Sequence, residues 1–595
     1  MPILNKFLHK LTDRMLFYLS IVAFLVLIVD WGFLEHPILE QVIYWFYWLF
    51  NLMVLGGLVV RIFFLRQLKN LRRQRIAQYI LLGLTFLVFI TELFAPAWIA
   101  SADGNAGKHL VIYLVVILLF LEEVSDRLFV ANMFTVHPSL IFAGSFVLLI
   151  FFGAALLMLP KSTTKGIEFI DALFTATSAV SVTGLAVLDT NADFTRTGQV
   201  IILILIQLGG LGMLTFTNLF GLLFRGGTSF QNQLFIKDTL NAAHLSDAFK
   251  TLIQIVVFTF AIEGIGAMII FSTLDPTQFD DVGEAVFFSI FHAISAFCNA
   301  GFSTMTNSLY EEPIRANYPL HTIVAVLIIA GGIGYSIMIN YYYYAKDYAR
   351  YLFKRFLLGD EKIKRAYRPL VTLNTRLAIL ATGWLLLLGM IGFLVFEYNG
   401  VMKDMSWQGV LSNTFFGSVT PRTAGFNTVN MADLSHPTIM LYLLLMWIGA
   451  SPGSTGGGIK TTTFTVAFLN GIHQLMGRDR MEVGWKEIPA HSVQRAFAIL
   501  FLSVALIGFA ATLISWFEPK DLDFRSIVFE SVSAYSTVGL SLGITAGLGT
   551  SSKLVLILTM FLGRVGTFTL LMGIVRTLTK RKMTHHRYPK EDVFM

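Results

Sequence analysis

Four short segments carry the same arrangement of small and hydroxyl residues around one glycine. They read TSAVSVTGLAVLD, ISAFCNAGFSTMT, FGSVTPRTAGFNTVN and VSAYSTVGLSLGI, with central glycines Gly184, Gly301, Gly425 and Gly539 at intervals of 117, 124 and 114 residues. The chemistry open to them is that of the peptide group. A ring of backbone carbonyls can replace the hydration shell of an ion without a fixed charge that would trap it. Glycine tolerates the dihedrals that turn such carbonyls inward. The oxygens are expected from Val182, Thr183 and Gly184, from Asn299, Ala300 and Gly301, from Thr423, Ala424 and Gly425, and from Thr537, Val538 and Gly539. Leu185, Phe302, Phe426 and Leu540 follow the glycines and are expected to wedge behind them. One such turn between apolar segments is ordinary packing; four at matching places point to a cation pore.

Two further stretches bear on that path. LYLLLMWIGASPGSTGGGIKTTTFTVAFL is too rich in glycine and proline at its centre to form one helix. Its middle, from Gly449 through Ser451, Gly453, Ser454, Thr455, Gly456, Gly457 and Gly458 to Lys460, is expected to be a flexible loop at mid-membrane depth, able to occlude the path and move aside. It is not a phosphate-binding loop of the form G-x-x-x-x-G-K-[ST], because Ile459 separates Gly458 from Lys460. Lys460 is expected to meet a carboxylate or carbonyl cluster. Arg564, in GRVGTF, lies inside the last apolar segment, where a charge costs about 2.5–3.5 kcal/mol even on a lenient scale. It is read either as a cation barrier in the pore or as half of a buried salt bridge. Arg422 is expected behind its turn against an acid or carbonyl, or snorkelling at the surface. Glu263 is either an anchor to a neighbouring segment or a cation site, and Glu530 must be solvated or paired.

The elements that must hold these residues are membrane spans. The chain has 595 residues, 55% apolar and 14% charged, unlike a soluble domain. Twelve spans are expected, at about 16–33, 42–64, 77–98, 108–126, 137–160, 197–220, 249–272, 315–342, 375–397, 437–472, 493–516 and 552–576. The last eight form four pairs. Between the members of each pair lies a segment too short to cross, at about 167–180, 281–296, 405–418 and 523–535, which suits a re-entrant half-helix ending in the glycine turn. The basic start is read as part of an uncleaved first span rather than a signal peptide. One cysteine, Cys298, excludes an internal disulfide.

The net charge of +7 falls between spans, so topology explains it better than a nucleic acid partner. Arg61, Arg66, Lys69, Arg72, Arg73 and Arg75, the segment 346–376, and Arg576, Lys580, Arg581, Lys582, Arg587 and Lys590 all fall on one side, which is therefore cytoplasmic together with both termini. The expected fold is an all-α polytopic membrane protein with four parallel membrane-pore-membrane repeats and pseudo-fourfold symmetry. Its parts are an N-terminal four-span region at 1–130, repeats at 131–230, 231–350, 351–480 and 481–580, and a tail at 581–595. The N-terminal spans lack the arginine stripe of a voltage sensor and read as a packing or dimer-forming region.

The four turns, GSTGGGIKTTTF and GRVGT resemble the Trk/Ktr/HKT superfamily of potassium transporters, and within it the bacterial TrkH/KtrB-type membrane subunits, over about residues 137–580. The resemblance implies potassium-selective filters, a homodimer, Gly449–Thr463 as the intramembrane gating loop, and Arg564 as the pore arginine beneath the filter. A serine at the first filter position goes with sodium transport in the plant-like relatives, and Gly184 stands there in this chain. It further implies a bacterial inner membrane and a separate cytoplasmic ring of RCK-type regulatory subunits (TrkA/KtrA-like), where any nucleotide would bind. The ion-conducting subunit of a potassium uptake system is the leading expectation. A sodium- or proton-coupled symporter on the same scaffold is the alternative. A membrane-embedded enzyme is disfavoured because acids and histidines do not cluster. Beyond K+ as the transported ion and surrounding lipid, no cofactor is expected.

Overall fold

The computed structural model describes residues 2–33, 37–64, 72–94, 110–128, 138–212, 247–357 and 371–578, apart from a few single loop positions. Arg66, Lys69, residues 213–220 of the expected sixth span and the tail after Leu578 lie outside the described residues, as does the expected boundary at 230/231. The described chain is mostly helical; its one strand pair is the short hairpin Glu482–Val483 and Lys486–Glu487.

The N-terminal helices are α1 (Pro2–Gly32), α2 (Pro37–Val59), α3 (Arg72–Phe94) and α4 (Leu110–Leu128). Leu16, Tyr47, Phe50, Val54, Val115 and Leu119 form their common core. Arg61 belongs to this interior, not to the basic loop expected from the sequence. Its guanidinium lies 2.7 Å from Glu123, 3.9 Å from Glu122 and 3.4 Å from Asp13, and it is 8% exposed. A guanidinium surrounded by three carboxylates is held in place rather than left to the solvent. At the other end of α1, Asp30 accepts from Tyr113 at 2.7 Å and from Tyr47 at 3.2 Å. The bundle leans on the next helix through Phe24 stacked on Phe152 and the Lys161 amide donating to the Gly32 carbonyl at 2.9 Å.

The rest comprises α5 (Pro138–Leu157), α6 (Phe169–Ser181), α7 (Arg196–Leu211), α8 (Asp247–Thr273), α9 (Val282–Cys298), α10 (Tyr318–Ile333), α11 (Tyr335–Leu357), α12 (Leu373–Glu397), α13 (Trp407–Val419), α14 (His436–Trp447), α15 (Thr461–Leu475), α16 (Ala490–Phe517), α17 (Phe524–Ser536), α18 (Thr550–Val565) and α19 (Thr567–Leu578). The four short helices α6, α9, α13 and α17 sit within two residues of the expected half-helices. Each packs on a helix of its own group and on the second helix of another: α6 on α18, α9 on α7, α13 on α10, and α17 on α14. Five described helices are long and apolar enough to span a bilayer, and two more if each bent pair counts once. The chain is a multi-pass membrane protein.

Two expected continuous spans are bent. The segment expected at 315–342 turns by 97° between α10 and α11, and that at 552–576 by 84° between α18 and α19. The cause is a glycine with positive φ: Gly334 at 85° and Gly566 at 83°, with Gly212 at 79° at the end of α7. A residue with a Cβ avoids that region, so glycine ends the helix there. The preceding glycine of each GxxG stretch fixes the close approach. A Cβ at Gly209, Gly331 or Gly563 would collide with the carbonyl of Val180, Phe297 or Tyr535, near the end of the half-helix behind it.

α18 meets α6 through an ion pair between Lys553 and Asp171, 2.6 Å long and about 85% buried on both sides. It joins residues 382 apart in sequence and ties the last helices to the first half-helix. Removing one partner strands a mostly desolvated charge, at a cost of about 1–3 kcal/mol. K553M is therefore expected to lower the apparent melting temperature in detergent, and D171N/K553M to recover part of the loss. Equal melting of K553M and wild type would dismiss the pair as a fastener.

Candidate functional site

The four glycine turns meet. Each half-helix ends three residues before its glycine, or one turn earlier in α13, and the residue two before the glycine is left-handed: Val182 (φ 57°), Asn299 (60°), Thr423 (70°) and Thr537 (50°). The glycines follow with φ of 89°, 71°, 81° and 90°. Three of the left-handed residues are β-branched, a conformation costing of order 1–3 kcal/mol each. Helix-end hydrogen bonds hold it: the Thr183, Ala300 and Val538 amides donate back to Ser178, Ser295 and Ser533 carbonyls at 2.8, 2.7 and 2.9 Å. Half-helix hydroxyls add to this. Ser178 accepts from the Gly184 amide at 3.0 Å and Ser533 from the Gly539 amide at 3.1 Å, while Ser295 donates to the Phe302 carbonyl at 2.8 Å and Thr420 donates to that of Phe426.

The glycines leave no room for a side chain. A Cβ on Gly184 would run into the Ala300 carbonyl oxygen, one on Gly301 would stand 2.7 Å from that of Ala424, one on Gly425 2.5 Å from that of Val538, and one on Gly539 would strike that of Thr183. Each glycine thus faces the carbonyl just before the next glycine, and the fourth returns to the first. All four border one vestibule of about 390 Å³. Leu185, Phe302, Phe426 and Leu540 are each at most 2% exposed in the surrounding cores.

On the half-helix side lies the glycine-rich loop. α14 ends at Trp447 and α15 begins at Thr461, so the expected helix is broken between them. The loop is fastened to the ends of α10 and α9: the Ser451 amide donates to the Gly332 carbonyl of α10 at 3.0 Å and the Thr455 hydroxyl to the Phe297 carbonyl of α9 at 3.1 Å. Gly449 abuts the carbonyl of Gly457, Gly453 faces Ser336, and Ser454 donates to Ser451 at 2.6 Å. Gly456 and Gly457 lie directly against the side chains of Thr423 and Thr537, and Gly458 against Ser536. Lys460 donates to the Gly456 carbonyl at 2.6 Å, a carbonyl as expected rather than a carboxylate.

Arg564 donates to two carbonyls, those of Thr455 in the loop and Gly209 at the end of α7. No carboxylate among the described residues pairs with it, so the salt-bridge alternative is not what the structure contains. In the GxxG stretches Arg564 stands where Gly210 and Gly332 stand in theirs; this chain places one guanidinium where its counterparts have nothing. Lys460, Gly458 and Arg564 border a second cavity of about 680 Å³, between α12, α15, α16 and α19.

The other charges resolve as supports. Arg422 is 8% exposed behind its turn, not snorkelling, and its guanidinium meets the Thr382 hydroxyl at 3.3 Å rather than an acid or carbonyl. Glu263 accepts from Gln207 of α7 at 3.1 Å and lies 3.7 Å from Cys298 Sγ, joining two helix groups behind the second turn as an anchor would. Glu530 accepts from Ser541 and, at 3.0 Å, from Thr545. Sequence reasoning missed the left-handed residues and the GxxG breaks.

Comparison with known proteins agrees with this architecture. The family model TrkH, described as a cation transport protein, matches residues 118–585. The "Potassium/sodium uptake protein NtpJ" of Enterococcus hirae is 36% identical over 463 residues, covering 77% of this chain and 97% of its own length. The "Ktr system potassium uptake protein B" of Bacillus subtilis is 35% identical, covering 77% and 96%. The crystal structure of the potassium transporter TrkH from Vibrio parahaemolyticus superposes with a TM-score of 0.58 at 18% identity, over 86% of this chain and 100% of that one, a likeness of fold. The chain belongs to the TrkH family of cation transport proteins.

Proposed function

We propose that the protein is the potassium-conducting membrane subunit of a potassium uptake system. The observation that carries this is the closed circuit of four glycines, each facing the carbonyl that precedes the next. In this reading residues 131–230, 231–350, 351–480 and 481–580 are four parallel repeats about a pseudo-fourfold axis, and 1–130 is a packing or dimer-forming region. Potassium enters from the outer vestibule and sheds water onto the carbonyls of Val182–Gly184, Asn299–Gly301, Thr423–Gly425 and Thr537–Gly539. The uncharged ring compensates dehydration without holding the ion. Below it, the Gly449–Lys460 loop and Arg564 form the gate. The membrane potential supplies about 2.3 kcal/mol per charge per 100 mV for inward movement.

The remaining assignments follow the family: a homodimer in a bacterial inner membrane, both termini cytoplasmic, regulated by a separate RCK-type ring that docks on the basic cytoplasmic segments. The protein is a conductor rather than an enzyme. Relatives named Ktr system potassium uptake proteins B and D support a multi-component assembly. In a bacterium lacking its own uptake systems, the chain with a regulatory partner is expected to restore growth at low potassium. In liposomes its current reverses at the potassium equilibrium potential. Reversal that moves with a sodium or proton gradient would instead establish the symporter, and no potassium flux from folded protein would end the proposal.

A further inference from the structure

Two of the four turns share a buried tether that the other two lack. Nine residues before Gly301 stands His292, and nine before Gly539 stands Glu530; both side chains are 0% exposed. Two residues after the same glycines stand Ser303 and Ser541. His292 Nε2 lies 2.9 Å from Ser303 Oγ, and Glu530 accepts from Ser541 Oγ. His292 Nδ1 lies 2.9 Å from the Phe288 carbonyl, which can only accept. In the neutral ring the proton therefore sits on Nδ1, and Nε2 accepts from the serine. Each serine in turn accepts from the amide four residues after its glycine, Met305 at 3.0 Å and Gly543 at 2.8 Å. The same three-part link recurs in the same register with two different acceptors. At the corresponding places the first turn has Thr175 and Ala186, and the third Phe416 and Asn427. The Thr175 hydroxyl is buried without a partner, and Asn427 donates to its neighbour Val429 instead.

Neighbour relations among the glycines place the tethered turns across from each other. Gly184 lies against Gly301, Gly301 against Gly425, and Gly539 against Gly184. The second and fourth turns are therefore opposite, and the first and third are the pair without this His/Glu–Ser link. Ser303 and Ser541 both line the vestibule directly beyond the glycines. We infer that His292–Ser303 and Glu530–Ser541 are opposed positioning links that set the width of the filter's outer mouth along one diagonal, and so contribute to the choice of potassium over sodium. This rests on the reading of the four turns as a potassium filter. The mechanical reason is simple: a turn whose exit strand is tied to its own half-helix cannot retreat when an ion of the wrong size demands a different ring.

The test is the potassium-to-sodium permeability ratio from reversal potentials of purified protein in liposomes, a quantity that does not depend on how much protein is active. S303A and S541A each remove one hydroxyl and leave the backbone intact. Each is expected to lower the ratio about three- to tenfold, the range one hydrogen bond supports, with a larger fall in the double variant. T175A in the first half-helix is expected to leave the ratio unchanged. E530Q, whose amide oxygen still accepts from Ser541, recovers most of the ratio lost in E530A. Should the double variant express poorly, the single hydroxyl deletions carry the same test. An unchanged ratio in S303A and S541A, with potassium current intact, overturns the inference alone. A wild type that passes no potassium overturns the filter reading and the inference with it.

Discussion

Gly184→Ser costs the protein most of its preference for potassium: the potassium-to-sodium permeability ratio is expected to fall roughly tenfold or more. Two independent constraints meet at this residue. Its φ is 89°, a region where an L side chain is strained, and its Cβ would overlap the Ala300 carbonyl oxygen of the adjacent turn. The overlap is with backbone, so it cannot be relieved by a rotamer change. Either the first turn twists out of its conformation or the first and second turns move apart; both displace the Thr183 and Ala300 carbonyls. Strain of about 1–3 kcal/mol at one of four turns is enough for a tenfold change in relative ion affinity. Reversal potentials under bi-ionic conditions read it directly. A ratio equal to wild type, with the protein folded and conducting, would mean that the first turn takes no part in selection.

Much of this architecture is written in the chain, because half-helix and turn are set locally. Apolar segments of 12–16 residues can neither span nor stay in water, and the glycine after each marks where the helix must stop; the ends of α6, α9, α13 and α17 accordingly lie close to expectation. The loop between Trp447 and Thr461 was legible for the same reason. What stayed hidden depends on tertiary contact. Val182, Thr423 and Thr537 are β-branched residues in left-handed backbone, against their own preference, and only the surrounding helix-end bonds make that possible. The 97° and 84° bends were missed because hydropathy runs unbroken through Gly334 and Gly566. The signal was present as repetition: GGLG at 209–212, GGIG at 331–334 and GRVG at 563–566 share one spacing. Arg61 was misplaced because a charge at the end of an apolar segment reads as loop until the acids of α4 and α1 are seen around it.

Arg564→Ala is expected to raise basal potassium flux at least about tenfold in liposomes without a regulatory partner. The guanidinium donates to the Thr455 carbonyl of the loop and the Gly209 carbonyl of α7, so one side chain clasps the loop to the opposite flank of the path. The loop's bonds to the ends of α10 and α9, at Gly332 and Phe297, would survive the substitution. Alanine therefore frees one edge of the loop rather than unfolding it. In the proposed gate it also removes the positive charge beneath the ring that would oppose an approaching cation. Charge-assisted hydrogen bonds contribute about 1.5–3 kcal/mol each, so losing one net bond already shifts a closed–open equilibrium by about a factor of ten. Lysine tests the two effects apart. R564K keeps the charge but cannot reach both carbonyls with a planar fork, so it should leak more than wild type and less than alanine. If R564K matches wild type, charge alone closes the path and the clasp is incidental; if R564A leaks no more than wild type at equal reconstitution, the residue has no part in gating.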